Sequence, residues 1–358
     1  MKEFIGYKEA LELTLSHVSP GPTEILPLDR LVGRILAEDV VARVDCPSVS
    51  TSRKDGYAVV AADLSDADEQ NPVRLKVLGH LSAGDRRQLE ILSGQTVRVT
   101  TGAPLPEGAD AVLSEEFCRQ EAGVIEAFNT AEAGRNIQQR GRDIRNGDAV
   151  AARGVKLDPA RVGLLAAAGL AEAEIYQYPK VAIIATGDEV VLPGSKLRKG
   201  QLYASNLTEI CAWLTQLGLP YLTKLVDDKK EDIKNAIEKN LSAVDVFLTS
   251  GGAWGSERDL ILDVVADLSW QGIYHRVRMG PGKPVGFGLL KDKPFFCLPG
   301  GPPSNEMAFL QLGLPALLKM QGESPVAFPM VSANLTQTVY GKKEWNPGIQ
   351  KTFQWRYG

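Results

Sequence analysis

Apolar positions recur along this chain first at helical spacing, then in short β-type runs, and finally in alternating runs of both kinds. Over residues 7–18, Ala10, Leu11, Leu13, Leu15 and Val18 fall at helical spacing, and Pro20, Gly21 and Pro22 stop that helix. Residues 24–150 read differently. Short β-rich runs such as "VRLKVLGHL", "TVRVTTGAPL", "AVLSEEF" and "GVIEAF" are separated by Gly, Pro and Asp turns, which predicts small β-domains. In "LDPARVGLLAAAGL", Asp158 is placed to cap a helix, Pro159 to open it and Gly169 to stop it.

From Tyr178 strands and helices alternate. "KVAIIATGDEV" is a continuous β-branched run, as suits a strand covered on both faces. "SNLTEICAWLTQLG" predicts a helix with Asn206 at the N-cap, Glu209 three residues on and Gly218 past its end. Further helices are predicted in "KEDIKNAIEKNL", "ERDLILDVVADL" and "SNEMAFLQLGLPALLKM", with strands in "LPYLTKLVDD", "VDVFLTSGG", "IYHRVRM", "VGFGLL" and "PFFCLPG". This alternation predicts an α/β domain with a mostly parallel sheet, whose ligands sit beyond the C-terminal strand ends.

The unusual residues collect at those ends. They are Thr186-Gly187-Asp188-Glu189, Asp227-Asp228, Ser250-Gly251-Gly252 with Asp259, Pro281-Gly282-Lys283-Pro284, and Pro299-Gly300 running on to Ser304. Glycine turns and helix starts expose N–H groups to phosphate, Lys283 adds a positive charge, and carboxylates beside phosphates are the usual holders of Mg2+. Each segment taken singly has a plain reading: a tight turn, a rigid loop, a solvated aspartate pair. Five of them in this order on one domain point to a pocket for an anionic ligand.

Composition narrows the class. The chain has 358 residues, 44% hydrophobic, which suits more than one domain with real cores. The net charge of -4 supplies no basic field, so nucleic acid is not an expected partner. The four cysteines (Cys46, Cys118, Cys211, Cys297) form no CxxC and read as neither a disulfide framework nor a zinc site. Three histidines make a His-based metal site a poor fit. The N-terminus lacks the apolar core of a signal peptide, and the stretch Val162–Leu170 is too short to span a bilayer. A cytoplasmic protein without a membrane partner is expected.

The strand-end segments, in this order, resemble the molybdopterin molybdenumtransferase family, the MoeA-like group related to the C-terminal domain of gephyrin. Upstream, "DCPSVSTSRKDGYAV", "VRVTTGAPLPEGADAVLSEE" and "GRNIQQRGRDIRNGD" are similar to that family's motifs, so the match runs from about residue 5 to about 322. The resemblance implies a multidomain α/β plus β fold. An elongated dimerisation domain would comprise residues 1–43 and 146–177, with a β-rich domain, 44–145, inserted into it. A molybdopterin-binding α/β domain would span 178–322, and a C-terminal β-domain 323–358, which reads as truncated. It also implies a homodimer with the active site shared across the interface, and contact with other molybdenum-cofactor biosynthesis proteins.

The implied chemistry is insertion of molybdate into adenylylated molybdopterin, with Mg2+-dependent cleavage that releases AMP. Carried over position by position, the resemblance assigns Asp55, Thr101, Asp143, Glu189, Asp259 and Lys283 to catalysis. Cofactor binding falls to Thr186, Gly187, Asp227, Ser250, Gly251, Gly252, Pro281, Gly282, Pro299, Gly300 and Ser304, with N–H groups of the Ser-Gly-Gly turn facing phosphate or pterin. The metal would be held by Glu189, Asp227 and Asp259. This chain also departs from the family. A lysine is replaced by Gly280, with Arg276 and Arg278 on the same strand face if the strand continues. The amide of Pro-Gly-Asn-Pro is lost at Gly301, an arginine is replaced by Gln138, and Trp254 has no assigned role. These departures favour an alternative, a non-catalytic scaffold of the same fold that binds molybdopterin or a nucleotide.

Overall fold

The computed structural model describes residues 1–251, 260–324 and 326. The chain forms two compact units: Gly21–Gln177, and Met1–Pro20 together with Tyr178–Gly358.

The second of these is built on a seven-stranded sheet. Its strands are β1 (Lys2–Gly6), β2 (Val181–Thr186), β3 (Tyr221–Val226), β4 (Val246–Ser250), β5 (Gln271–Arg278), β6 (Gly286–Leu290) and β7 (Lys293–Leu298). Their spatial order is β1-β5-β6-β7-β4-β2-β3. β6 pairs antiparallel with both neighbours, and every other pairing is parallel. Every residue of β2 and β4 is buried, because helices cover both faces. Ile183, Leu248, Phe296 and Leu298 pack on one face with Leu207, Ile210 and Leu214 of helix α2 (Ser205–Gln216). Ala182, Ile184, Phe247 and Phe295 pack on the other. Their partners there are Ile233 and Ile237 of α3 (Lys230–Asn240) and Ile261 and Val265 of α4 (Leu260–Asp267). Each such Ile, Leu or Val contributes about 1.5–3 kcal/mol on burial.

The helical stretch after β7 is not uniform. A turn of α-helix, α5 (Pro302–Ala308), passes through a π-helical turn at Phe309–Gly313 into α6 (Leu314–Met320). Pro315 has no N–H to donate to Gln311, so the regular ladder cannot run through this point.

Residues 1–20, expected in the elongated first domain, belong instead to the unit of the large sheet. β1 extends the large sheet by parallel pairing with β5. The helix α1 (Tyr7–Ser16) follows, and Ile5, Ala10 and Val18 enter the core of this unit. A hydrogen bond of 2.7 Å between the Thr14 and Tyr274 hydroxyls ties α1 to β5. The helical period of 7–18 was visible in the sequence, but "KEFIG" is too short and polar to announce an edge strand.

Within Gly21–Gln177, a six-stranded sheet runs in the order Ala111–Ser114, Gly56–Val59, Gln95–Val99, Val73–Leu81, Val124–Ala127, Cys118–Glu121. Tyr57, Val59, Leu75 and Ile125 form a core on one face; Ala58, Val97, Val99 and Val112 form another. A separate core gathers Leu31, Leu36, Val40, Ile144, Leu165 and Ile175 beneath the ribbon Thr23–Pro27/Glu172–Tyr176 and the helix Pro159–Ala167. That helix starts as its sequence dictates: the Asp158 carboxylate accepts the Arg161 N–H at 2.8 Å, and Pro159 occupies the first turn.

Candidate functional site

The order β3-β2-β4-β7 contains a reversal. The chain leaves β2 toward β3 through α2 on one face, and leaves β4 in the other direction through α4 on the opposite face. Such a point opens a crevice beyond the C-terminal strand ends. Thr186, Ser250 and Pro299-Gly300 all lie there.

These ends are close-packed. A Cβ at Gly251 would lie 2.9 Å from the Thr186 carbonyl oxygen and 3.0 Å from its Oγ1, and Gly251 has φ +104°, so only glycine fits. The Gly251 N–H donates to Leu298 O at 3.3 Å. An N–H expected to face a phosphate therefore ties β4 to β7 instead. What this turn offers is the Ser250 side chain, 5% exposed. Its Oγ accepts amide N–H bonds from Asn206 at 3.2 Å and Asn305 at 3.1 Å. The same amides donate to Gly300 O at 2.8 Å and Pro299 O at 2.7 Å respectively. Asn206 is thus not the helix cap that its position suggested. Ala204 occupies that place, and the Asn206 side chain spans the crevice edge. Asn305, one helical turn beyond Gly301, brings an amide to the Pro299 carbonyl of this turn. Ser304 is half-buried in the first turn of α5.

The end of β3 separates the two aspartates. Asp227, expected as a metal ligand, is 63% exposed in its side chain and pairs with Lys229 Nζ at 3.1 Å. Asp228 turns the other way. Its N–H donates to the Asp188 carboxylate at 3.0 Å, and its side chain meets the Thr186 hydroxyl and the charges of Asp188 and Glu189. Burial raises the Asp228 pKa above the ordinary value, the Thr186 hydroxyl opposes this, and the charges of Asp188 and Glu189 add to it, with a smaller opposing effect from the hydrogen bond to Asp188. The sequence offered two adjacent aspartates. Which one faces inward depends on where β3 ends.

Asp188, Glu189 and Asp228 offer the hard oxygen donors that Mg2+ takes. Among the described residues no three His, Cys, Asp or Glu side chains converge into a cage for a metal ion. Mg2+ held by one or two carboxylates and a substrate phosphate needs no cage, so the donor set fits on those terms. Gly252, Trp254 and Asp259 lie outside the described residues.

The Pro281-Gly282-Lys283 turn follows β5. Arg276 has φ +65°, which breaks the strand alternation, and β5 ends at Arg278. Arg276 and Arg278 therefore do not continue a common face to Gly280. Instead the Arg276 guanidinium lies 5.7 Å, and Lys283 Nζ 4.8 Å, from the centroid of the Phe4 ring. Gly282, at φ +108°, packs where a Cβ would lie 2.5 Å from Met279 Cε and 3.4 Å from the Ala308 N.

The remaining three candidates lie in Gly21–Gln177. Asp55 Oδ1 accepts the Thr101 N–H at 2.7 Å and its Oγ1–H at 3.0 Å. These bonds, Thr101 N–H foremost, and the charge of Arg98 hold the Asp55 carboxyl below its usual range. Gly56 beside it permits close strand approach, because a Cβ there would lie 2.0 Å from Leu113 O. Asp143 accepts the Gln138 amide on both carboxylate oxygens, at 3.0 and 3.1 Å. Ile137–Gln138 pairs with Thr51–Ser52, so this pair and the Asp55 loop share one short ribbon.

A family model described as the MoeA N-terminal region (domain I and II) matches residues 5–169, and one described as a probable molybdopterin binding domain matches residues 182–319. A molybdopterin molybdenumtransferase of Haemophilus influenzae is 34% identical, over 92% of this chain and 82% of that protein. A putative molybdopterin biosynthesis protein of Methanocaldococcus jannaschii is 35% identical, over 78% of this chain and 70% of that protein. Among solved structures, a molybdopterin biosynthesis protein from Pyrococcus horikosii superposes with a TM-score of 0.82 at 36% identity, covering 89% of this chain and 80% of that one. With strand-end motifs gathered at one crevice and relatives matched over most of their length, this chain belongs to the molybdopterin molybdenumtransferase family.

Proposed function

We propose that the protein acts in molybdenum cofactor biosynthesis, inserting molybdate into adenylylated molybdopterin with Mg2+-dependent release of AMP. The observation that carries this reading is the meeting of the β2, β4 and β7 ends, with Thr186, Ser250 and Pro299-Gly300, at the reversal of strand order. Such a crevice suits a phosphorylated, planar ligand.

The substrates bring negative charge that the site must balance. Lys283 and Arg276, both against the Phe4 ring, would supply positive charge for an oxyanion. Asp228 and Glu189 would hold Mg2+, which neutralises phosphoryl oxygens and eases departure of AMP. Thr186, whose hydroxyl lowers the Asp228 pKa against the effect of burial, would favour the ionised carboxylate that a cation needs. Asp55, held by Thr101 from a neighbouring turn, and Asp143, held by Gln138 of its own loop, are anionic groups suited to orienting a polar substrate or a water. The reading includes a homodimer. Ile25, Val32, Val41 and Val44 are large apolar side chains exposed on Gly21–Gln177 and would be available to such an interface. Sedimentation of the purified chain tests that part, and a monomer at micromolar concentration would remove it.

The functional test is AMP release from adenylylated molybdopterin by purified protein, with Mg2+ and with or without molybdate. Molybdate-dependent release is the expected result. Tight binding without release would instead favour the scaffold reading.

A further inference from the structure

Asn206 and Asn305 come from different helices and meet on one oxygen. Each side-chain nitrogen has two protons. One from each goes to Ser250 Oγ, at 3.2 and 3.1 Å, and the other to a backbone carbonyl, Gly300 O at 2.8 Å or Pro299 O at 2.7 Å. A carbonyl oxygen can only accept, so these contacts also fix which amide atom is nitrogen. Asn305 is 1% exposed and Ser250 5%, so the network is built into the protein interior.

A serine hydroxyl has two acceptor positions and one proton. Both acceptor positions of Ser250 are taken by amides. Its proton is then the only capacity left, and among the described residues no acceptor takes it. A second unused group lies beside it: Asn206 Oδ1 is buried with no hydrogen-bond partner among the described residues. An unsatisfied buried acceptor is costly, and a bound donor would recover that cost.

We propose that Asn206 and Asn305 are positioning residues that lock the Ser250 hydroxyl as a hydrogen-bond donor to an anionic oxygen of the bound substrate. This rests on the functional reading above and deepens it. Without the amides the hydroxyl rotates freely and offers a donor only part of the time. With them, it presents a proton in one direction before the ligand arrives, and no ordering is needed on binding. The amides also stitch the β4 end to the β7 end, so the donor and the Pro299-Gly300 wall move together.

The test is a double-mutant cycle on binding. Affinity for adenylylated molybdopterin is measured without molybdate for the unmodified chain, Ser250→Ala, Asn305→Ala and the double variant, with thermal unfolding alongside. Each single variant is expected to weaken binding about 10- to 100-fold, the range of a hydrogen bond to a charged group. In the Ser250→Ala background, Asn305→Ala should add less than about 2-fold, because the group it positions is gone. Multiplying effects, or an Asn305→Ala variant that binds normally, would overturn the proposal. Should Asn305→Ala fail to fold, Asn206→Ala enters the same cycle and is read in the same way. An unmodified chain that does not bind the substrate would overturn the functional reading itself, and the positioning role with it.

Discussion

Asp55 and Asp228 are both acidic residues at the edge of a strand, yet their surroundings push them in opposite directions. Asp55 is met by donors from the turn after the neighbouring strand Gln95–Val99, the Thr101 N–H and hydroxyl, and its pKa is lowered. Asp228 is partly buried beside Asp188 and Glu189, and its pKa is raised although the Thr186 hydroxyl opposes the shift. One carboxylate is satisfied by the fold. The other carries a charge that the fold leaves to be balanced from outside. A satisfied carboxylate orients things; an uncomfortable one waits for a cation. That difference separates a positioning group from a metal ligand better than residue type does.

The largest expected effect comes from Asp228→Asn. Mg2+-dependent AMP release should fall on the order of 100-fold, comparable with or beyond what loss of a ligand's supporting group costs. The same substitution should leave the melting temperature unchanged or raise it. A raised folded pKa means that the native state holds the proton more tightly than the unfolded chain. The group then stabilises at low pH and loses that contribution as pH rises through its folded pKa. A large fall in melting temperature at neutral pH would break the comparison on the Asp228 side.

Next comes the pH dependence of Mg2+ affinity in the unmodified protein. Only the ionised carboxylate binds the ion, so affinity should fall as pH is lowered through the raised Asp228 pKa. The fall should begin above the ordinary carboxylate value of about 4. Titration calorimetry at several pH values measures it. A midpoint below the ordinary value would mean that a different carboxylate dominates.

Asp55→Asn should act with the opposite sign on stability. A depressed folded pKa gives stabilisation that is present above the unfolded pKa and lost as pH falls through the folded one. The melting temperature of Asp55→Asn should therefore sit a few degrees below that of the unmodified chain at neutral pH, and the gap should close in acid. A gap that is constant with pH would assign the Thr101 contacts to shape rather than charge. The smallest effect is expected for Asp227→Asn, within about 2-fold in activity, because exposed ion pairs contribute little. A large loss there would reverse the assignment of the two adjacent aspartates.

Much of the fold was legible in the sequence. "VAIIAT" reads as a doubly covered strand, and all six residues of β2 are buried. Asp158-Pro159 reads as a helix start and is one. The strand-end segments converge because a parallel α/β sheet puts all its C-terminal ends on one edge. The misreadings share a cause. Asn206 has the residue type and position of a cap, yet its amide is drawn to Ser250 and Gly300, residues 44 and 94 positions away. Arg276 and Arg278 follow a period that a single positive φ at Arg276 interrupts. Nothing near Gly301 in the sequence says that Asn305 will supply an amide to the same turn.

By itself the sequence determined the local and periodic features: which runs become strands, where helices start, which glycines and carboxylates stand at the strand ends, and the family to which the chain belongs. Those follow from short-range chemistry, side-chain period and backbone preference. Only the tertiary structure decided the rest. It joined residues 1–20 to the large sheet, turned Asp228 rather than Asp227 toward Thr186, and put two distant amides on the Ser250 hydroxyl. Each of these depends on where a strand stops and what lies across from it, and hydrogen-bond partners far apart in the chain are set by the packing of whole elements.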